Sequence, residues 1–404
     1  MSPRTALAAP LVLAAFVAQA QVPVSPPAAI SPDALAPYHE GDPFTPAVNL
    51  GAPIAYLIDL GSGQVLFERE SRRRFIPASL TKIMTAFVAF ELMQAGRLQP
   101  NQRFAMSDAA FRQWHRVGST MFLNRGQEAS VEELLEGIMT VSANDGCIVL
   151  AEGASGSVDA FVTLMNAEAK RLGMADSHFG SPNGWPDQGA TFTSARDLAI
   201  LTQAMLTRHP AYYRHYVGHP EMTFNGIRQD NHVPLFGRVV GADGVKTGFT
   251  NESGYGLVGS AVRNGRRLVM VVGGYDRAWQ RARESRALIE WGFSAWETQR
   301  LFAAGAVVGR ARVQGGAARQ VPLVTPLAYY VTYPAGGKAP PVKVTLRYDG
   351  PLRAPLRQGA DVASLRVSTP GAPPRDLRLL AGASTSLAGP LERLRNGLFG
   401  LVGL

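Results

Sequence analysis

Cysteine is almost absent: Cys147 is the single thiol in 404 residues. One cysteine excludes an internal disulfide framework and any zinc site built on paired cysteines, so stability must come from packing. Lysine is scarce too. Of 40 Lys plus Arg, only Lys82, Lys170, Lys246, Lys338 and Lys343 are lysine. Where any cation would serve, this sequence places arginine, so a retained lysine marks a position that needs an amine able to lose its proton. Long apolar runs are missing apart from Ala6 to Ala18, which is shorter than the ~20 residues of a spanning helix. No Gly-x-Ser-x-Gly elbow occurs, which argues against a Ser-His-Asp hydrolase of that type. There is no basic run interleaved with aromatics and no zinc-finger spacing. The formal charge of +9 therefore does not point to nucleic acid, whereas an anionic membrane or cell wall accounts for it. Neither a metal nor a cofactor is expected.

What is present reads as globular. Hydrophobic residues make up 46% and charged residues 18%, and the length predicts two folded domains with tails. Arg4, the apolar run and the small-x-small Ala18-Gln19-Ala20 give residues 1–20 the form of a secretory signal peptide, so the protein is expected to be exported. Residues 21–48 are rich in Pro and Ala and read as a linker. Ile54 to Asp59 and Gln64 to Phe67, around Gly61-Ser62-Gly63, predict a hairpin. Pro77 and Ser79 open a helix with Leu80, Ile83, Met84, Phe87, Val88 and Leu92 at helical spacing, ending near Gly96. Helical periodicity continues from Val131 to Gly173 with breaks at Ser142–Gly146 and Gly153–Ser157. Val245–Phe249, Tyr255–Val262 and Leu268–Val272 predict an antiparallel meander, and Trp279–Trp296 a further helix. Strands at both ends enclosing helices predict an α+β domain over residues 49–297, helices packed on an antiparallel sheet. Beyond Thr298 the helical period is lost. Val342, Val344, Leu346 and Tyr348 alternate with polar residues, predicting a small all-β sandwich domain over residues 298–382.

Three short motifs carry chemistry. In Ser79-Leu80-Thr81-Lys82 a hydroxyl and an amine stand three apart at a helix start, where one turn stacks them on one face. Serine becomes a nucleophile only when a neighbour takes its proton, and a lysine can do so only when burial or a nearby cation lowers its pKa. Backbone N–H groups at the same helix start can stabilise an oxyanion. Alone, this pattern is matched often by an N-cap serine beside a surface lysine. The scarcity of lysine sharpens it: chance placement of lysine at both 82 and 246 among the cationic positions has odds of roughly 1 in 80. Lys246-Thr247-Gly248 lies on a predicted strand, and a strand glycine marks close approach of a ligand or another backbone. It is read as a substrate edge, with Lys246 and Thr247 available to a terminal carboxylate; an edge strand ending in a turn is the plain alternative. Ser142-Ala143-Asn144 falls at a break between helices, where hydroxyl and amide can both enter a cleft or, more simply, cap a helix.

In this order, Ser-x-x-Lys, Ser-x-Asn and Lys-Thr-Gly resemble the penicilloyl serine transferases. Longer stretches, namely Pro77 to Lys82, Phe224 to Gln229, Asp243 to Thr250 and Glu290 to Phe293, are similar to the low-molecular-mass penicillin-binding proteins that are serine-type D-alanyl-D-alanine carboxypeptidases. The resemblance implies a penicillin-binding, β-lactamase-like transpeptidase domain. It also implies hydrolysis of the terminal D-alanine from the D-Ala-D-Ala end of the peptidoglycan stem peptide, with β-lactams as covalent inhibitors. In that scheme Ser79 attacks, Lys82 is the base, Lys246 and Ser142 keep Lys82 neutral and relay protons, and Asn144 holds the substrate amide. Thr247 and Gly248 line the substrate edge, and the backbone N–H groups of Ser79 and Phe249 form the oxyanion hole. Some relatives carry a histidine after Lys-Thr-Gly and an arginine after the Asn of the preceding Gln-x-Asn segment. This chain has Phe249 and His232 there, which leaves open whether His232 or another residue completes the carboxylate site.

Leu391, Leu394, Leu398, Leu401 and Val402 fall on one face of the C-terminal segment, so residues 386–404 read as an amphipathic membrane anchor or a helix docked on the β-domain. The expected location is periplasmic, peripherally attached to the outer face of the cytoplasmic membrane. Three alternatives remain. A β-lactamase of the same fold would need an extra glutamate, and none followed four residues later by asparagine occurs between Asp145 and His219. A D,D-endopeptidase acting on crosslinks would use the same acyl-transfer chemistry. A non-catalytic cell-wall scaffold would be expected to have lost a motif residue, and none is lost.

Overall fold

Asp59 shows how the first hairpin closes. Its Oδ1 accepts hydrogen bonds from the backbone N–H groups of Gly61 (2.9 Å) and Ser62 (3.2 Å), and Gly63 follows at φ +68, which glycine adopts without steric cost. The strands on either side, Ile54–Asp59 and Gln64–Arg69, pair antiparallel as the sequence predicts. The computed structural model describes residues 50–369, 374–390 and 392. The segments read as signal peptide and linker, and most of the segment 386–404, lie outside the described residues.

The hairpin joins the predicted meander, Ala242–Thr250, Gly254–Arg263 and Arg266–Tyr275, in one antiparallel sheet. The strand order is Gln64–Arg69, Ile54–Asp59, Arg266–Tyr275, Gly254–Arg263, Ala242–Thr250, which leaves the Lys-Thr-Gly strand at an edge. Period-2 alternation sends side chains to two cores. Ile54, Tyr56, Ile58, Val258, Val269 and Val271 face the helical layer, whereas Ala55, Leu57, Leu257, Leu268, Met270 and Val272 face Leu288 and Ile289 of helix Ala278–Ser294. Helix Lys82–Gln94 runs through the larger core with every residue from Lys82 to Phe90 buried, because its apolar positions leave almost no polar face. Helices Val131–Thr140, Asn144–Ser155 and Val158–Leu172 are separated by two short breaks, at residues 141–143 and 156–157, so Asn144 to Gly146 and Gly153 to Ser155, expected in the interruptions, are helical. Ser130 caps the first of them in a reciprocal capping box with Glu133.

From Trp296 to Ala381 every regular element among the described residues is a strand. A six-stranded sheet runs in the order Lys343–Arg347, Asp361–Ser368, Arg375–Ala381, Gln320–Val324, Val307–Gln314, Leu352–Arg353, and a separate pair joins Trp296–Phe302 to Tyr329–Pro334. The Tyr329–Pro334 strand docks on the first hairpin through a buried polar hub. Asp59 Oδ2 accepts from Arg266 Nε at 2.7 Å and from Thr332 Oγ1 at 3.1 Å, and Thr332 Oγ1 lies 2.8 Å from Ser62 Oγ. Asp59 is fully buried, so loss of its ion-pair partner Arg266 leaves an uncompensated charge, typically a cost of ~3–5 kcal/mol.

Candidate active site

The α-helix expected to open at Ser79 begins at Lys82, preceded by a 3-10 turn over Ala78–Thr81. The tighter turn eclipses positions i and i+3, which brings the two functional side chains of Ser-x-x-Lys together more directly than an α-turn does. Lys82 Nζ lies 2.9 Å from Ser79 Oγ. Ser79 makes no capping hydrogen bond, so it is free of the plain N-cap role. The same amine reaches Asn144 Oδ1 at 2.8 Å and the Asn183 carbonyl at 2.7 Å. Three oxygens therefore fix a fully buried amine, one per ammonium hydrogen. Deprotonated, the amine turns its lone pair to the Ser79 hydroxyl over the same distance.

Burial lowers the Lys82 pKa to about 8, against the opposing pull of Cys147 and Asp145. Lys246, on the neighbouring edge strand and 2% exposed, is pushed well below its ordinary value by burial first and by the charge of Lys82 second. Two buried amines that oppose each other's charge titrate as a coupled pair. Burial raises the Cys147 thiol to about 12, so it stays protonated and unreactive at neutral pH.

Asn144 reaches the Lys82 amine from the start of its helix, and Ser142 lies two residues earlier, in the break between helices. Ser142 is buried at φ +64, a left-handed conformation rare for a non-glycine residue and concentrated at functional sites. Neither residue caps the following helix: its N-cap is Ala143, with no side-chain bond. The Asn144 side chain is held between Lys82 and the Val117 carbonyl (3.0 Å), leaving one amide hydrogen for a ligand. The strand Ala242–Thr250 completes the wall. Gly248 is tight against the Ser79 turn, since a Cβ there would stand 2.6 Å from the Pro77 carbonyl. The close approach that the strand glycine signals is thus of backbone to backbone, while the strand's open edge faces outward. Thr247 is 7% exposed, and Phe249, 46% exposed, stacks on Tyr255 with ring centroids 4.1 Å apart.

Five residues outside the motifs complete the site. Asp145 binds the backbone N–H groups of Met121 (3.0 Å) and Leu123 (3.1 Å), holding the loop whose Val117 and Ser119 carbonyls fix Asn144. Asn183 supplies the carbonyl to Lys82, and Gly184 at φ +71 packs directly on the Ala78 carbonyl, a place closed to any side chain. Trp185 follows, 42% exposed, edge-on to Trp114 and close over Gly118 beside Asn144. The turn pattern Pro182-Asn183-Gly184 is the one sequence signal for this group. Arg281, from helix Ala278–Ser294, sits over the Tyr255 ring at 5.5 Å, and its buried Nε has no hydrogen-bond partner. Its charge lowers both Lys246 and His232, so three basic groups converge at this end of the cleft.

Comparison with known proteins identifies the family. A family model described as D-alanyl-D-alanine carboxypeptidase matches residues 43–276. The chain belongs to the D-alanyl-D-alanine carboxypeptidase family. A second model, of the C-terminal domain of penicillin-binding protein 5, matches residues 296–384. The chain is 35% identical over 319 residues to D-alanyl-D-alanine carboxypeptidase DacA of Escherichia coli K12, covering 78% of this chain and 79% of the relative. It resembles the crystal structure of penicillin-binding protein 5 from Haemophilus influenzae with a TM-score of 0.67 and 31% identity, over 84% of this chain and 99% of that one. It also resembles penicillin-binding protein D2 of Listeria monocytogenes in its ampicillin-bound form, with a TM-score of 0.54 and 29% identity, over 62% of this chain and all of that one. The two family matches divide the chain where the sequence changes from mixed to all-β texture, so the α+β architecture with a C-terminal β-domain is that of this family.

Proposed function

We propose that this chain is a serine-type D-alanyl-D-alanine carboxypeptidase that removes the terminal D-alanine of peptidoglycan stem pentapeptides through an acyl-enzyme on Ser79. The observation that carries the reading is a fully buried lysine amine, its pKa lowered to about 8, 2.9 Å from a serine hydroxyl on a 3-10 turn. Neutral Lys82 takes the Ser79 proton as Oγ attacks the penultimate D-alanine carbonyl. The Ser79 and Phe249 N–H groups, brought near each other by the contact of Gly248 on Pro77, receive the oxyanion. The proton passes through Lys82 and Ser142 to the departing amine, D-alanine leaves, and water attacks the ester with Lys82 again as base. Asn144 holds the reactive loop in place and offers its remaining N–H to the substrate amide.

The site's cations address the carboxylate question. Thr247, Lys246 and Arg281 receive the terminal carboxylate, with Arg281 in the role the sequence left open and His232 beside it. β-Lactams, whose carboxylate and strained amide imitate the same dipeptide end, acylate Ser79. The catalytic unit is residues 49–297 and the β-domain 298–382. The protein is exported, as residues 1–20 suggest, and its C-terminal segment contacts the membrane surface. Incubation with a synthetic pentapeptide ending in D-Ala-D-Ala, followed by mass spectrometry, tests the activity. Loss of one alanine residue, abolished in Ser79→Ala, is the expected result, and an unchanged pentapeptide refutes the proposal.

A further inference from the structure

Net charge is segregated along this chain. Residues 50–297 contain 25 Lys plus Arg and 24 Asp plus Glu, whereas residues 298–392 contain 12 and 4. Nearly all of the +9 therefore belongs to the β-domain, which lies outside the catalytic site. Two of its cations are neutralised locally, Arg366 by Asp376 and Arg378 by Asp361. Arg310, Arg312, Arg353 and Arg357 have no acidic partner among the described residues, and all four are exposed.

These four share one edge. On the strand Val307–Gln314 the pleat buries Ala311 and Val313 and turns Arg310, Arg312 and Gln314 to solvent. The two-residue strand Leu352–Arg353 runs parallel to it at the sheet edge, with Arg353 in register beside Gln314. Arg357 follows, one residue past the bridge between Leu356 and Thr385. The C-terminal part of the chain leaves the domain here: Leu387 bridges to Gly316, the Ala388 N–H bonds the Gly315 carbonyl at 2.9 Å, and Leu387 is 58% exposed. The sequence that continues from this point adds Arg393 and Arg395 between leucines at helical spacing.

We propose that the Arg310–Arg312–Arg353–Arg357 edge is a docking face for an anionic phospholipid bilayer. It acts together with the apolar C-terminal segment that starts beside it. The proposal rests on the reading that this segment reaches a membrane and is independent of the reaction assigned to Ser79. A short apolar segment alone gives weak, reversible attachment, and a basic patch is the second signal that makes attachment stable. The location favours lipid over wall polymer, because the edge that carries the cations also holds the chain at Thr385 to Ala388, from which the leucine-bearing sequence continues. A basic residue held near an anionic surface contributes about fivefold to partitioning, so the four together supply a factor on the order of 10²–10³ at low salt.

The test is sedimentation of the full chain with vesicles of phosphatidylcholine alone or with phosphatidylglycerol added, comparing wild type with an Arg310→Ser, Arg312→Ser, Arg353→Ser, Arg357→Ser variant. Penicillin labelling of both proteins shows that the catalytic domain is intact. Expected are a loss of about 10²-fold or more for the variant on phosphatidylglycerol vesicles, equal weak binding of both proteins to phosphatidylcholine, and a wild-type affinity that falls with salt. Equal binding of both proteins to phosphatidylglycerol vesicles overturns the proposal. So does arginine-dependent binding to purified peptidoglycan without vesicle binding, which reassigns the face to the wall. A chain ending at Ser384 that still binds phosphatidylglycerol through the four arginines separates this face from the anchor segment.

Discussion

Replacing Lys82 by arginine keeps the charge and removes the ability to lose it. With its pKa at about 8, the wild-type amine is neutral in roughly one molecule in ten at pH 7. A guanidinium with a pKa above 12 is neutral in fewer than about one in 10⁵. If the neutral amine is the base, acylation at pH 7 falls by about 10⁴-fold, apart from any misfit of the larger group. The assay is the second-order rate of labelling by a fluorescent penicillin, measured from pH 6 to 10 with a thermal melt on each variant. Wild-type rates rise about tenfold per pH unit below pH 8 and level above it, since the active form is the deprotonated one. Lys82→Arg stays folded and nearly unreactive throughout. A folded Lys82→Arg protein that labels within tenfold of wild type, or a wild-type rate that falls on raising the pH from 6 to 8, refutes Lys82 as the base.

The same buried amine affects stability. Its folded pKa of about 8 lies below its ordinary 10.5, so the unfolded chain binds the extra proton between those values. The destabilisation, at most ~3 kcal/mol, is fully present below pH 8 and disappears as pH rises through 10.5. Denaturant unfolding of wild type and Lys82→Met at pH 7 and 9.5 should show the gap between them shifting toward wild type at the higher pH. Arg281→Ala should raise KM for a D-Ala-D-Ala substrate by about 10²-fold and spare a substrate whose terminal carboxylate is amidated, as loss of a charge-assisted contact of roughly 3 kcal/mol implies. Gly248→Ala, whose Cβ would meet the Pro77 carbonyl at 2.6 Å, should fold yet slow acylation at least tenfold by pushing the edge strand off the Ser79 turn. A chain ending at Ser384 should pellet with a membrane preparation far less than the full chain at high salt, where the arginine face is screened, and unchanged pelleting there refutes the anchor.

Local pattern made much of this fold legible. The first hairpin, the meander and the existence of two breaks in the helical region follow from alternation, turn residues and helical spacing, all encoded within a few residues of chain, although the breaks themselves are shorter than expected. The three motifs are legible for a different reason. Residues as close along the chain as Ser79 and Lys82 meet when the chain makes one turn between them, so their spacing at a helix start predicts the contact. What escapes is what distant segments contribute. Asn183 acts through its backbone carbonyl, which no side chain advertises, and Arg281 is one arginine among many until the helix Ala278–Ser294 sets it over Tyr255 of the neighbouring strand. The start of the helix at Lys82 rather than Ser79 is similar. Apolar spacing fits both a 3-10 and an α-turn, and packing of Gly248 and Gly184 against the turn selects the tighter one.

The chemistry assigned to the cleft stands or falls on where an acyl group is deposited. Treating the protein with benzylpenicillin, digesting it and mapping the adduct by tandem mass spectrometry locates that atom directly. One penicilloyl group on the peptide containing Ser79, absent after Ser79→Ala, is the predicted result. An adduct on Ser142 or elsewhere, or no adduct in a folded protein, contradicts it.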